Sequence, residues 1–539
     1  MIKLSMLIYR AIKEYYKKDG KQPALVYMGR TFTYDELFEG IEDAAERLAG
    51  FVRAGDVATL CMPNVPECVF CFYALNRLGV TAHMVHPLAP LNQIKKFMAA
   101  AKSSLLVTLS INLGKYSALQ QEYPIISVHP ARSLGAFKRF VFDRKVGPYK
   151  GVKVNIYDYD EVKKHALPKE PTNVGGAGVY LHSGGTSGEP KIIELSDSAV
   201  NALGYRGLEA LGLPDARGMH MLAVVPMSHG YGLTMGVHTT LIYGAVSVLM
   251  PKFDPKAAVK LIKKNKLQFL VGVPNLYRAL LKQKGFNGAA LKNIYIGYVG
   301  GDVAPQALLD EFNSRMESAG ARARLFEGYG LTETTNVCIV NNYDHNRKGS
   351  LGKPFKGLDA VILDCESEGE IKVLPAGEKG ELAVAGDILM NGYLDNAEET
   401  KAVFVEIDGK RFVRTGDCCY IDGDGYVYFV QRIKRIIKIS GISVYPRQIE
   451  ESAEELPGIT GACAVEYKDN GKTKIALYLT GAKPDAESVR KKIENDLSHY
   501  AVPTLVEYID AIPMTPMMKA DTLALTALAE KKIGGAETK

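Results

Sequence analysis

The chain has 539 residues, 47% of them hydrophobic and 23% charged, with 66 Lys and Arg against 60 Asp and Glu for a formal net charge of +6. That length is too great for one compact core and predicts two or more domains, while the composition excludes a disordered or fibrous chain. The small basic excess gives no reason to expect a nucleic-acid partner and is compatible with anionic cofactors.

The first residues, "MIKLSMLIYRAIKEYYKK", have an apolar run too short for a signal-peptide core and no small-residue cleavage site, so an amphipathic helix is expected. "TFTYDELFEGIEDAAERLAG" follows, with Thr33 and Glu36 at capping-box spacing and Leu37, Ile41, Ala44 and Leu48 along one face of a predicted helix. Short apolar runs such as "DVATLCMP", "SLLVTLS", "MLAVVP" and "LQFLVGVP" alternate with longer amphipathic segments, which predicts an α/β fold of helix-covered sheets. Cys68 and Cys71 form a C-x-x-C, but "NVPECVFCFYALNRLG" is apolar at helical spacing, so they read as core thiols rather than a redox or zinc pair. Eight cysteines without a recurring paired spacing suit free thiols in a reducing compartment, and a cytoplasmic location is expected. The stretch from Gly218 to Pro251 contains no Asp, Glu, Lys or Arg; Pro226, three His and five Gly interrupt it, which predicts buried strands around a short helix and no integral membrane segment.

Between residues 180 and 196 stands "YLHSGGTSGEPKIIELS". Strand-like runs flank it, so Ser183 to Gly188 is expected at a tip between two strands, unlike a Walker A loop, where Gly-Lys-Ser or Gly-Lys-Thr opens a helix. Backbone N–H groups at Gly184, Gly185 and Gly188, hydroxyls of Thr186 and Ser187, and the Lys191 cation suit phosphate oxygens; a plain polar hairpin is the alternative. From about Gly349 the pattern shifts to short strands and turns, ending in "YIDGDGYVYFVQRIKRIIKISG", and a boundary is expected near Arg432 to Arg435, giving parts 1–433 and 434–539. A hairpin turn near Gly423 would bring Asp417 and Arg432 within about two residues of register, on the order of 8 Å or less apart.

Five segments in order now resemble one family, the adenylate-forming enzymes that include AMP-forming acyl-CoA synthetases, amino-acid adenylation domains and luciferases. "SGGTSGEPK" resembles their phosphate loop, "FEGYGLTETT" at 326–335 their aromatic-Gly-Thr-Glu segment and "VRTGD" at 413–417 their ribose-binding Asp. "QRIKRIIKISGISVYPRQIE" is similar to their interdomain hinge and "IPMTPMMKADTLAL" to their terminal catalytic-lysine segment. The resemblance implies a large domain of helix-covered sheets with a small barrel-like part, and a small mobile α+β C-terminal domain hinged near Lys434.

It also implies two half-reactions with ATP, Mg²⁺ and coenzyme A: a carboxylate attacks the α-phosphorus of ATP, then a thiol displaces AMP. Ser183 to Gly188 and Lys191 would hold the triphosphate, Glu333 with Thr186 the metal, and Thr332 the α-phosphate. Glu327, Gly328 and Tyr329, facing Gly301 and Asp302, would frame adenine, and Asp417 and Arg432 the ribose. Lys519 would catalyse adenylation; Lys438 and Gly441 would enter for thioester formation. Met518 and Gln431 depart from the family's usual residues. "VVPMSHGYGL" places His229 near the acyl entrance, and no Asp stands where amino-acid-activating relatives hold the ammonium, so a fatty or aromatic acid is expected. A ligase loading a carrier protein and a nucleotide-binding protein without catalysis are the alternatives.

Overall fold

The computed structural model describes residues 5–17, 19–146, 151, 154–172, 176–183, 190–364, 371–439, 442–469, 471–514 and 520–534. The chain divides into two compact units. One comprises Met1–Ser183, Lys191–Asp359 and Ala385–Val413, the other Gly184–Pro190, Ala360–Val384 and Arg414–Lys539. Lys434, the expected hinge, lies within the second.

Two large sheets build the first unit. Among the described residues one has eight strands, in the order Gly392–Tyr393, Ile192–Ser196, Ala177–His182, Thr81–Met84, Val57–Cys61, Leu105–Leu109, Ile125–Val128 and Ile156–Asp158. From Ala177–His182 onward the pairings are parallel, whereas Ile192–Ser196 and Gly392–Tyr393 are added antiparallel at one edge. The other sheet has nine strands and a parallel centre of Val246–Leu249, His220–Ala223, Phe269–Gly272, Ile296–Val299 and Arg324–Gly330. Strands such as Leu105–Leu109 and Phe269–Gly272 are buried throughout, which is why they read as uninterrupted apolar runs. One apolar cluster draws Leu60 and Val107 from the first sheet and Leu25 and Leu249 from the second.

The helices follow from local chemistry. Tyr34–Leu48 starts at the expected capping box: Glu36 N donates to Thr33 Oγ1 at 3.2 Å, and Thr33 N donates to Glu36 Oε2 at 2.9 Å. Leu37, Ile41, Ala44 and Leu48 are all buried. Cys68 and Cys71 sit inside the helix Pro66–Arg77, where burial pushes the Cys68 thiol up to about 12 and so removes it from thiolate chemistry. The uncharged stretch holds the strands His220–Ala223 and Val246–Leu249 around a widened helical segment, Tyr231–Thr239, that continues to Ile242. No helix among the described residues is long and apolar enough to cross a membrane.

In the second unit, Ile459–Asp469 and Lys472–Gly481 pair antiparallel and Leu505–Tyr508 joins parallel. The helices Pro446–Glu454 and Ala486–Asp496 contribute Ile449, Val489 and Ile493 to a core with Ile437 and Leu477. The strand-rich stretch before it, expected to be barrel-like, forms an open branched sheet: Asp359–Leu363, Gly380–Ala385, Lys410–Ile421 and Phe404–Ile407 in that order, with Val427–Arg432 on Lys410–Ile421. No closed barrel forms among the described residues.

Candidate active site

The glycine-rich loop joins two antiparallel strands, as its flanks predict. His182 pairs with Ile192, Ser183 N donates to Lys191 O at 2.9 Å, and Lys191 N donates to Ser183 Oγ at 3.0 Å, so both ends of the loop are fixed. Gly184, Gly185, Thr186, Ser187 and Gly188 lie outside the described residues. His182, just before the loop, stands 2.9 Å from His83 through their Nε2 atoms, and His83 Nδ1 stands 2.9 Å from Thr59 Oγ1. Thr59 donates its own hydroxyl hydrogen to Ser103, so it accepts from His83 Nδ1–H, and His182 Nε2–H therefore donates to His83. Burial holds His182 down to about 4, so the strand enters the loop uncharged and Lys191 brings the positive charge.

Glu333 lies in a short turn, Thr332–Thr334, between the buried side chains of Thr332 and Thr334. Tyr393 OH donates to Glu333 Oε1 at 2.9 Å, and the Lys191 ammonium lies 4.6 Å from the centre of the Tyr393 ring. One tyrosine thus touches both the cation at the foot of the glycine-rich loop and the acid of the Thr-Glu-Thr turn. Burial first, and then the Glu333 carboxylate, push the Tyr393 phenol up, so it stays a donor at working pH. Lys191 also forms an ion pair with Glu399. Backbone bonds hold the group: Met390 N donates to Glu333 O, Asn391 N to Glu194 O and Leu394 N to Ile192 O, each at 2.9 Å. Thr335 ends the turn at φ 62°, uncommon for a β-branched residue, and donates to Ile388 O at 2.7 Å.

The remaining candidates of this unit gather at the C-terminal ends of the parallel strands of the nine-stranded sheet. Val299 pairs with Glu327, so Gly301 and Asp302 leave one strand beside Gly328 and Tyr329 on the next. A Cβ at Gly300 would stand 2.6 Å from Gly328 O, so glycine is required for the two backbones to approach this closely. His229 follows the strand His220–Ala223; its Nδ1 accepts from Tyr231 N at 3.1 Å, which leaves the ring proton on Nε2. A Cβ at Gly230 would come within 2.4 Å of Thr335 O, so this loop lies against the Thr-Glu-Thr turn. Crevices at such strand ends are where open α/β sheets take ligands.

Asp417 and Arg432, in the second unit, are direct partners across the hairpin, with Arg432 Nε 2.9 Å from Asp417 Oδ1. Asp417 is 1% exposed and Arg432 46%, so an interior carboxylate is matched to a cation open to solvent. Gln431 is buried, and its Oε1 accepts from Arg447 N at 3.1 Å, in the first turn of the helix Pro446–Glu454. Lys434 lies in the turn Ile433–Arg435, and Lys438 is exposed on the strand Ile437–Ile439. Gly441 and Lys519 lie outside the described residues.

Beside this gathering of residues at the strand ends stands agreement along most of the chain: the family described as AMP-binding enzyme matches residues 12–394. The chain belongs to that family. It is thus one of the adenylate-forming enzymes that its five segments resemble. This AMP-binding enzyme is 28% identical over 518 residues to a long-chain-fatty-acid–CoA ligase of Bacillus subtilis (strain 168), covering 92% of this chain and 90% of the relative. It is 26% identical over 516 residues to 4-coumarate-CoA ligase 1 of Narcissus pseudonarcissus, covering 92% and 89%. The ATP-bound crystal structure of MatB from Rhodopseudomonas palustris superposes with a TM-score of 0.83 at 21% identity, covering 98% of this chain and 100% of that one, a likeness of fold.

Sequence reasoning missed Tyr393 and Glu399 of this AMP-binding enzyme. Tyr393 belongs to a two-residue strand, too short for any periodicity, and its partner Ile193 is 200 residues earlier. The signal available was local: Asn396 caps the helix Ala397–Val403 by accepting from Glu399 N, and this fixes the turn that presents Glu399.

Proposed function

We propose that this AMP-binding enzyme is an AMP-forming acid–thiol ligase that joins a fatty or aromatic carboxylic acid to coenzyme A through an acyl-adenylate. The observation that carries it is the Tyr393 bridge, which brings Lys191 and Glu333 into one array beside the glycine-rich loop. In the first step a carboxylate oxygen bonds to the α-phosphorus of ATP and the bond to pyrophosphate breaks. In the second, the thiol sulfur bonds to the acyl carbon, AMP leaves with the electron pair, and the thiol proton passes to solvent. Two anions must meet in the first step, so the protein's task is to neutralise charge and align the attack.

In this reading Ser183, Gly184, Gly185, Thr186, Ser187, Gly188 and Lys191 hold the triphosphate and Thr332 the α-phosphate. Glu327, Gly328, Tyr329, Gly301 and Asp302 frame adenine, Asp417 and Arg432 hold the ribose, and His229 borders the acid. Glu333 with Thr186 would hold Mg²⁺. The residue present fits that ion in its chemistry, since Glu333 offers a hard carboxylate oxygen of the kind Mg²⁺ takes beside phosphates. Bound there, Mg²⁺ supplies charge neutralisation to the phosphates. Lys519 serves the first step, and rotation of 434–539 about Lys434 brings Lys438 and Gly441 to the second.

Support for coenzyme A and for these acids comes from the relatives named as long-chain fatty acid and 4-coumarate CoA ligases. The test is pyrophosphate release from ATP with a panel of fatty and aromatic acids, with and without coenzyme A. Acid-dependent release and a CoA thioester are expected. Thioester formation only on a carrier protein would overturn the assignment of coenzyme A, and no release with any acid would overturn the ligase itself.

A further inference from the structure

The helix Ala136–Val146, in the first unit, carries apolar side chains on two sides. Phe142 turns inward, its ring edge-on to His129 at 5.6 Å, and Asp143 accepts from His129 Nε2 at 2.7 Å, so one side is already anchored. Phe137, Phe140 and Val141 stand at i, i+3 and i+4 on another face and point to solvent, Phe137 79% and Phe140 55% exposed. Arg144, at i+7, lies 4.9 Å over the Phe140 ring. Packing among the described residues gives no reason for this outer stripe, and two phenylalanines beside a valine exceed the scattered apolar exposure of an ordinary surface.

Basic side chains surround it. Lys138 Nζ donates to Met28 O at 2.6 Å, joining the helix to a turn whose Met28 is itself exposed. Lys264 Nζ and Lys138 Nζ lie 3.5 and 3.9 Å from the point where a Cβ would stand on Gly29, so a second helix, Pro255–Asn265, converges on the same turn. Its inner face buries Ala258, Val259 and Ile262, and its outer face exposes Lys256, Lys260, Lys263 and Lys264 with no carboxylate in the helix. The nearby acids are engaged: Asp143 with His129, Asp160 with Arg132, and Asp254 with Ala257 N.

We infer that this face docks on an anionic lipid bilayer. Phe137, Phe140, Val141 and Met28 enter the boundary between headgroups and acyl chains, and Lys138, Arg144 and the lysines of Pro255–Asn265 meet the phosphates. Short apolar insertion with a cluster of four to eight basic residues is the arrangement that binds acidic membranes, and its charge part weakens as salt rises. The apolar stripe selects a lipid surface over free phosphate, and the lysine row selects acidic over zwitterionic lipid.

The chain contains no Trp, so Phe140→Trp introduces a single reporter. Its emission is expected to shift to the blue with vesicles of phosphatidylglycerol and phosphatidylcholine in equal parts and to stay unchanged with phosphatidylcholine alone. In co-sedimentation with the mixed vesicles, Phe137→Ser/Phe140→Ser and Lys260→Glu/Lys264→Glu should each weaken partition at least tenfold. Both should keep the unfolding temperature and the vesicle-free pyrophosphate release of the parent. Equal binding to both vesicle types, no binding to either, or undiminished binding by the serine variant would overturn the inference. So would self-association of the parent that the serine variant abolishes, or retention on nucleic acid in place of vesicles.

Discussion

Tyr393→Phe removes one hydroxyl from the array and leaves everything else. The ring stays, and with it the contact to Lys191 at 4.6 Å; the backbone pairing of Tyr393 with Ile193 does not involve the side chain. What is lost is the 2.9 Å hydrogen bond to Glu333 Oε1, a bond to a charged acceptor worth about 1.5–3 kcal/mol. If that bond orients Glu333 for the adenylation transition state, the loss becomes about a 10- to 150-fold fall in kcat/KM, at ~1.4 kcal/mol per factor of ten. ATP–pyrophosphate exchange across a Mg²⁺ series is the assay, with thermal unfolding alongside. Exchange should fall by that range and recover partly at high Mg²⁺, while the KM for the acid stays put. Exchange within twofold of the parent would refute the argument, as would a fall matched by an equivalent loss of folded protein.

Other outcomes follow from the same geometry. Asp417→Ala strips the carboxylate from Arg432 and should raise the KM for ATP more than that for the acid; equal effects would place Asp417 outside the nucleotide site. Lys519→Ala should abolish ATP–pyrophosphate exchange yet still convert supplied acyl-adenylate to thioester, and Lys434→Pro, which locks φ near −65° at the proposed hinge, should do the reverse. Loss of the same half-reaction in both would refute the proposed rotation of 434–539 between the two steps. Burial raises Asp197 from 3.8 to about 6, against hydrogen bonds from Asn76 and the Ile8 amide that lower it. A raised carboxyl favours the protonated native state, so stability present below about pH 4 is lost as pH rises to 6, by roughly 3 kcal/mol. Asp197→Asn should match the parent at pH 4 and exceed it by up to that amount at pH 7.5 in denaturant titrations; a difference that does not change with pH would refute this.

How much of the fold can be read from the chain depends on how far apart the partners are. The Thr33–Glu36 capping box is complete within four residues, and the structure forms it as spaced. Asp417 and Arg432 are further apart, but a tight turn lies between them, and turn chemistry fixes the register of a hairpin. Beyond a hairpin the sequence no longer specifies neighbours. Nothing in "SLLVTLS" says that Leu105–Leu109 pairs with Val57–Cys61 on one side and Ile125–Val128 on the other, because a strand buried on both faces has no alternation to orient it. The barrel-like part that the resemblance implies is, among the described residues, an open branched sheet: short strands between turns announce a sheet, and closure depends on which edges meet.

The site divides along the same line. Residues that bind a nucleotide through backbone and short polar groups occur in compact segments, since Gly, Thr and Ser act where the chain itself bends around the ligand, and such segments are visible as motifs. Tyr393 acts differently. Its effect on Glu333 requires an edge strand of two residues to pair at Ile193, directly after the loop, and a backbone bond from Met390 to Glu333 to set the spacing. Neither requirement leaves a composition or a period behind. Lys191 and Glu333 are 142 positions apart, and each alone is an ordinary surface charge; the tyrosine that touches both makes their separation a fixed distance. A charge clamp for two meeting anions needs that fixed distance more than it needs either charge, because a flexible pair would spend its attraction on reorganisation and lose its advantage in the transition state.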